Sequence, residues 1–139
     1  YTGCRKVIEA NTLLSGIGFE SGGLAGAHAI HNGFTVLDDA ITCIMAEKSH
    51  FGTITQLVLE NIPAEELEDI IDWCIELGTA CDIKKETGES QKVTDEKLMA
   101  VANGRPVQRT TRFTNMPFEV TPETVCAAIK AADAYGKYF

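Results

Sequence analysis

The sequence predicts an all-α fold, a bundle of about six helices with no sheet of consequence. Apolar residues recur at intervals of three and four along most of the 139 residues, which is the spacing of one helix face. Only two short runs, at residues 53–55 and 107–113, have strand-like composition. Pro and Gly stand where helices are expected to begin and end. Together these observations predict one helical domain around one core.

The first helices are separated by a glycine-rich turn. An opening helix is expected to end near Gly16 and Gly18, at the start of that turn. Ser21 lies near the end of the turn and is predicted to cap the next helix through its hydroxyl oxygen. That helix is predicted to span residues 24–37. Its small side chains permit close approach of another backbone, so we expect it to be buried.

Pro and Gly delimit the helices in the middle of the chain. A long helix within residues 38–62 is expected to end at Pro63. The following helix, residues 64–77, has the clearest pattern and stops at Gly78. Its outer face is acidic and has no basic residue, which we interpret as a solvated face. The polar stretch at residues 82–92 is predicted to be a loop.

The last third contains two capped helices. Thr94 is predicted to cap a short helix, and Thr121 followed by Pro122 opens the last one. Between them, residues 105–120 lose the helical period and are expected to form an exposed loop or a short anion-binding arm. The arginines of that stretch are Arg105, Arg109 and Arg112.

The predicted core collects the apolar residues that share the inner faces of these helices. Their spacing places them on one side of each helix. They are Leu14, Leu24, Ile30, Ile54, Val58, Leu67, Ile70, Ile71, Cys74, Leu98, Val125 and Ile129.

Composition excludes several classes of function. The formal net charge is −8, and an acidic chain repels phosphate backbones, so nucleic acid is not an expected partner. No apolar run has membrane-spanning length, and no signal-peptide pattern opens the chain. The five cysteines include no C-x-x-C pair, which favours reduced thiols and a cytoplasmic location.

The histidines are the candidate chemical residues. His28 and His31 are three residues apart, so both imidazoles can point to one side of a helix. This spacing suits two metal ligands, or one ligand beside a proton-handling group, but does not by itself favour metal binding. The glycine-rich turn before them is not a dinucleotide fingerprint, because it follows a helix and Ser21 occupies the place of the third glycine.

Three segments carry a family resemblance. They are residues 9–33, with Gly-Ile-Gly-Phe-Glu-Ser-Gly-Gly at their centre, residues 47–61, and residues 115–122, reading Asn-Met-Pro-Phe-Glu-Val-Thr-Pro. In these segments the chain resembles the glycerol dehydrogenases of the iron-containing (group III) alcohol dehydrogenase family. The resemblance is weak between residues 81 and 114. It implies that residues 1–139 form a single helical domain, the metal and substrate half of a two-domain enzyme that oxidises glycerol to dihydroxyacetone with NAD and zinc.

The resemblance also implies roles for individual residues. His28 takes the position of a zinc ligand, and Phe19 that of a ring packing against the small polyol. His31 matches a second, non-ligand histidine near the substrate. Met45 occupies the position of the family's other histidine ligand, and a thioether is a poor ligand for zinc. His50 lies about 140° around the helix from Met45 and is not expected to replace it.

Two departures from the family shape the functional expectation. The NAD-binding N-terminal domain is expected to be absent, and with it the aspartate that is the third zinc ligand. We therefore expect the chain alone to be inactive and to bind neither NAD nor zinc tightly. Its exposed cleft face, with Phe19, His28 and His31, is expected to contact an NAD-domain partner chain or a second copy. The alternatives are a non-catalytic binding or assembly module descended from the enzyme, and a bare fragment.

Overall fold

The computed structural model describes residues 2–35, 45–79, 94–103 and 113–138, without the side chains of residues 45–48 and 114. Every regular element in these ranges is helical, which confirms the predicted all-α class. The elements are α1 (Thr2–Glu9), a π-helical turn (Ala10–Leu14), α2 (Ser15–Gly22), α3 (Gly26–Phe34), α4 (Met45–Leu59), α5 (Ala64–Glu76), α6 (Asp95–Asn103), a 3₁₀ turn (Phe113–Asn115) and α7 (Pro122–Tyr138).

Helices α3, α4, α6 and α7 share one core, and α5 packs against α4. At its centre the rings of Phe34 and Phe51 meet edge to face, with centroids 5.8 Å apart and planes at 72°. The core prediction is confirmed on α3 to α7, with Val58 and Ile70 at the edge of the core rather than inside it. The predicted residues that are buried are Ile30, Ile54, Leu67, Ile71, Cys74, Leu98, Val125 and Ile129.

The opening helix differs from the prediction in its length and its burial. It does not stop at Gly16 or Gly18, because Ser15 donates its N–H to the Ala10 carbonyl and the π turn continues directly into α2. Leu14 was expected in the core but is 63% exposed, because no other element in the described part of the chain covers this face. Leu24, also expected in the core, is half-buried.

The predicted cap at Ser21 is wrong. Ser21 lies inside α2, and the chain turns only at residues 23–25, where Gly23 has a φ of 69°. Helix α3 then begins at Gly26, after Ala25, which has no side chain that can cap it. The N-terminus of α3 is instead satisfied by a residue from another helix.

Local signals set the ends of α5, α6 and α7. At the end of α5, Gly78 has a φ of 74° and the Thr79 N–H bonds to the Cys74 carbonyl at 3.0 Å, the bond expected of a glycine stop. The Thr94 hydroxyl accepts from the Lys97 N–H at 3.4 Å and caps α6. The Thr121 hydroxyl accepts from the Thr124 N–H at 3.3 Å and caps α7.

Several predictions lie outside the described residues. These are the turn at residues 38–39, the loop at residues 82–92, and the arginines Arg105, Arg109 and Arg112. Within the described ranges, no helix combines the length and apolar character needed to cross a membrane.

Candidate functional site

The residues singled out by the sequence lie on two consecutive helices and the turn between them. Phe19 is on α2, and His28 and His31 are on α3. Residues 23–25, which we call the joint, connect the two helices and include Gly23 in the left-handed region of φ. The joint therefore sets the angle between the helix that carries Phe19 and the helix that carries His28.

Helix α3 approaches α4 closely beside His28. A Cβ added at Gly52 would overlap the carbonyl oxygen of Ala27 and lie 3.1 Å from its carbonyl carbon. Only a residue without a Cβ fits there, because the backbone of α3 cannot swing aside as a flexible side chain would. Gly52 thus lets the first turn of α3 rest directly on α4.

Gln56 of α4 caps the N-terminus of α3, which has no local cap. The Gln56 Oε1 atom accepts from the Ala27 N–H at 2.7 Å, in place of the local cap that Ala25 does not provide. The Gln56 Nε2 atom donates to Glu60 Oε1 at 2.8 Å, which keeps the oxygen of the amide turned toward Ala27. One side chain of α4 therefore fixes the residue next to His28.

Asn115, at the end of the 3₁₀ turn, holds the other side of the joint. Its Nδ2 atom donates to the Leu24 carbonyl at 2.8 Å and to the Gly22 carbonyl at 3.2 Å. A Cβ added at Gly23 would lie 3.0 Å from the same nitrogen, so the amide sits against the bare backbone of the joint. Asn115 thereby ties the last residue of α2 to the joint.

The predicted site residues differ in exposure. Phe19 is 60% exposed, His28 is half-buried, and His31 is 8% exposed with its Nδ1 atom buried. His50 is half-buried on α4, and Met45 is the first residue of that helix. The structure therefore presents the Phe19 ring to solvent, while His31 belongs to the interior of the bundle.

The residues described do not by themselves fit a zinc site. A catalytic zinc takes three protein ligands and a structural one four. No group of three or more His, Cys, Asp and Glu side chains in the described ranges is arranged to hold a metal ion. Of the ligand positions that the resemblance implies, His28 carries an imidazole and Met45 a thioether. A zinc ion at His28 would therefore need ligands from outside the described residues.

Sequence reasoning missed Gln56, Asn115 and Gly52 as parts of this site. All three lie in the segments that carry the family resemblance, so a signal was present. Their roles could not be inferred, because each acts on residues far away in sequence. Gln56 bonds to a residue 29 positions earlier, and Asn115 bonds to residues 91 and 93 positions earlier.

Comparison with known proteins confirms the resemblance seen in the motifs. The chain is 50% identical over 132 residues to a glycerol dehydrogenase of Citrobacter freundii, covering 95% of this chain and 35% of that protein. It is 44% identical over 132 residues to a glycerol dehydrogenase of Thermotoga maritima, covering 95% and 35%. No family model matches the chain.

A solved structure shows that the fold is shared as well. The glycerol dehydrogenase of Schizosaccharomyces pombe superposes with a TM-score of 0.87 at 37% identity, over 99% of this chain and 34% of that one. The chain thus spans about a third of the length of the relatives it matches, and the matched region is their C-terminal part.

Proposed function

We propose, from the premise that this chain corresponds to the C-terminal part of a glycerol dehydrogenase, that it is the substrate side of a polyol oxidoreductase. It acts together with an NAD-binding domain. In this proposal Phe19 packs against the polyol, His28 is the metal-ligand position, and His31 supports α3 from the interior. The sequence identity and shared fold over nearly the whole chain carry the proposal.

The exposed face of the opening helix supports contact with a further domain. Four apolar side chains along the opening helix are each more than half exposed, although apolar residues of this size are normally buried: Val7, Ile8, Leu14 and Ile17. We propose that the NAD-binding domain covers this face, and self-association of the chain is the other arrangement that the sequence predicts. A monomer in sedimentation experiments at high concentration would exclude self-association.

A cytoplasmic location belongs to the same proposal. Cys4, Cys74 and Cys126 carry free thiols, and two of the three are buried. Free thiols are the usual state of cysteine in the reducing cytoplasm. NAD-linked oxidation of a small polyol is chemistry that this compartment supports.

A second candidate function is favoured by the ligand position on α4. Met45 replaces the imidazole expected there, and the described residues offer no three-ligand cluster. A chain that lost its metal would keep the helical fold and serve as a non-catalytic binding or assembly module. The two functions differ in one measurable respect, namely whether the wild-type chain oxidises glycerol once an NAD-binding domain completes it.

Complementation with a relative distinguishes the two functions. The part of the Citrobacter freundii enzyme that this chain does not cover would be co-expressed with the wild-type chain and with Met45→His. NADH formation would then be measured with glycerol, NAD and zinc. Polyol oxidoreductase function predicts turnover by the complex containing Met45→His, and a wild-type complex at least tenfold slower. The chain alone is expected to give no turnover in either form.

The controls separate assembly from catalysis. His28→Ala combined with Met45→His should abolish turnover without preventing co-purification of the two polypeptides. Met45→Leu should behave as wild type, because neither leucine nor methionine offers a good zinc ligand. A complex that forms with Met45→His but gives no glycerol-dependent NADH would contradict the enzymatic proposal and favour the non-catalytic module.

A further inference from the structure

The joint between α2 and α3 is held by side chains from two distant parts of the chain. Gln56 of α4 accepts from the Ala27 N–H at 2.7 Å, on the α3 side. Asn115 donates to the carbonyls of Gly22 and Leu24, on the α2 side. We call Gln56 and Asn115 the amide clamp. The joint itself has no side chain that makes such bonds, since residues 23–25 are Gly, Leu and Ala.

Small residues bring the joint within reach of the clamp. A Cβ added at Gly26 would lie 3.4 Å from Gln56 Oε1 and 3.4 Å from the Phe113 ring. A Cβ added at Gly23 would lie 3.0 Å from Asn115 Nδ2, and the φ of 69° at Gly23 is strained for any residue with a side chain. The backbone is therefore shaped so that both amides reach it directly.

Apart from the clamp, few contacts fix the direction of α2 relative to α3. The opening helix, including α2, has only exposed side chains apart from half-buried Ala10, so burial of apolar surface does not fix its direction. Without the Asn115 bonds, α2 would pivot about Gly23. The orientation of Phe19 relative to His28 would then vary.

We propose that Gln56 and Asn115 are positioning residues, which fix the angle between the helix that carries Phe19 and the helix that carries His28. That this angle matters for polyol binding rests on the function proposed above. That the clamp fixes the angle is independent of that function, because the clamp is built from residues of this chain alone. A side-chain ring that packs against the substrate and a ligand imidazole must be held within about half an ångström of their working geometry, which is what a clamp of this kind supplies.

Residual dipolar couplings of backbone N–H groups test the proposal on the chain alone. In the wild type, residues 15–22 and 26–34 should fit one alignment tensor. Asn115→Asp keeps the volume but removes both donors, so the couplings of residues 15–22 should shrink at least twofold while those of residues 26–34 stay unchanged. Asn115→Ala provides the same test if the aspartate variant does not fold. Asn103→Asp is the matched control, since Asn103 makes one local bond to the Met99 carbonyl.

Amide exchange at Ala27 tests the Gln56 half of the clamp. Gln56→Leu removes the acceptor, and exchange at Ala27 should accelerate about three- to tenfold, the range that one hydrogen bond supplies. Gln56→Glu combined with Glu60→Gln keeps an acceptor oxygen at the helix N-terminus and a donor–acceptor pair between positions 56 and 60, so it should restore the slow exchange. A general loss of packing would not be reversed by this conservative change, so the rescue distinguishes positioning from bulk stability.

Unchanged couplings in the Asn115 variants, or unchanged Ala27 exchange in Gln56→Leu, would overturn the proposal. Neither measurement needs metal, polyol or cofactor, so both report on the clamp even if complementation yields no dehydrogenase. The functional arm uses the active complex containing Met45→His. There, Asn115→Asp should raise the KM for glycerol more than it lowers kcat, because Phe19 contacts the polyol rather than the reacting atoms. A fold-decrease in kcat as large as the fold-increase in KM would contradict the link to substrate positioning.

Discussion

Replacing Gly52 by alanine tests the close contact between α3 and α4. In an isolated helix this change is stabilising, because alanine has a higher helix propensity than glycine by about 1 kcal/mol. Here the new methyl group would overlap the Ala27 carbonyl oxygen and lie 3.1 Å and 3.3 Å from the Ala27 carbonyl carbon and Cα. All three are backbone atoms of α3, so relief requires α3 and α4 to move apart.

The expected net effect follows from two opposing contributions. Overpacking a tight contact costs about 1–3 kcal/mol, and contact with backbone falls at the upper end of this range. After the gain in helix propensity, the free energy of unfolding should fall by about 1–2 kcal/mol. For a chain of this size that corresponds to a Tm about 3–10 °C lower. Thermal unfolding followed by circular dichroism at 222 nm measures the shift, and urea titration gives the free energy.

Gly18→Ala is the matched control for this prediction. Gly18 is also helical, and a Cβ added there meets nothing within 4 Å. The control should therefore have the same stability as the wild type or a slightly higher one. If Gly52→Ala unfolds at or above the wild-type temperature, the close approach of α3 and α4 described above is wrong.

Three other changes have defined outcomes. Thr121 and Thr124 cap α7 reciprocally, each hydroxyl accepting from the other's N–H at 3.3 Å and 3.0 Å; Thr121→Ala should cost about 1 kcal/mol in urea titrations, and Thr121→Ser much less. The pKa of the Glu123 carboxyl lies below its ordinary value of 4.5, because its own backbone N–H and then the Thr121 side chain hydrogen-bond to it. Folding thus favours the ionised form, so the stability that the Glu123 carboxylate contributes is present above about pH 4.5 and is lost as the pH falls through the lowered pKa. Glu123→Gln should flatten the fall in Tm on acidification, and an unchanged slope of Tm against pH would contradict this. Elemental analysis of the purified chain should show no stoichiometric zinc, and Met45→His should bind zinc more tightly. About one zinc per wild-type chain would show that the alignment at Met45 is wrong or that His50 is a ligand.

The sequence predicted those parts of the fold whose signals are local. Gly78 ends α5 and Thr121 begins α7 because each acts on backbone groups within a few residues. Leu14 was misplaced because periodicity identifies an apolar face without telling what covers it. Ser21 was misplaced because its residue type suits a cap, whereas the actual acceptor is Gln56, brought in by tertiary packing.

The candidate site was predicted less completely than the fold. The resemblance identified Phe19 and His28, which remain predictions as functional residues, and the structure places them on either side of one turn. It could not reveal that His31 is buried, because a histidine in a motif looks the same in sequence whether it faces solvent or the core. Bonds that join residues far apart in sequence, such as those of Asn115, depend on the three-dimensional path of the chain.

The cap that α4 supplies to α3 has a consequence for the order of folding. Helix α3 has nine residues, too few to be stable in water by itself, and it has no N-terminal acceptor of its own. The Ala27 N–H in its first turn gains its acceptor only when Gln56 arrives on a helix that is synthesised later. Helices α3 and α4 should therefore form and open as one cooperative unit, with no populated state in which α3 is helical and α4 is not. During synthesis, we expect the segment that carries His28 to gain its helix only after α4 has left the ribosome.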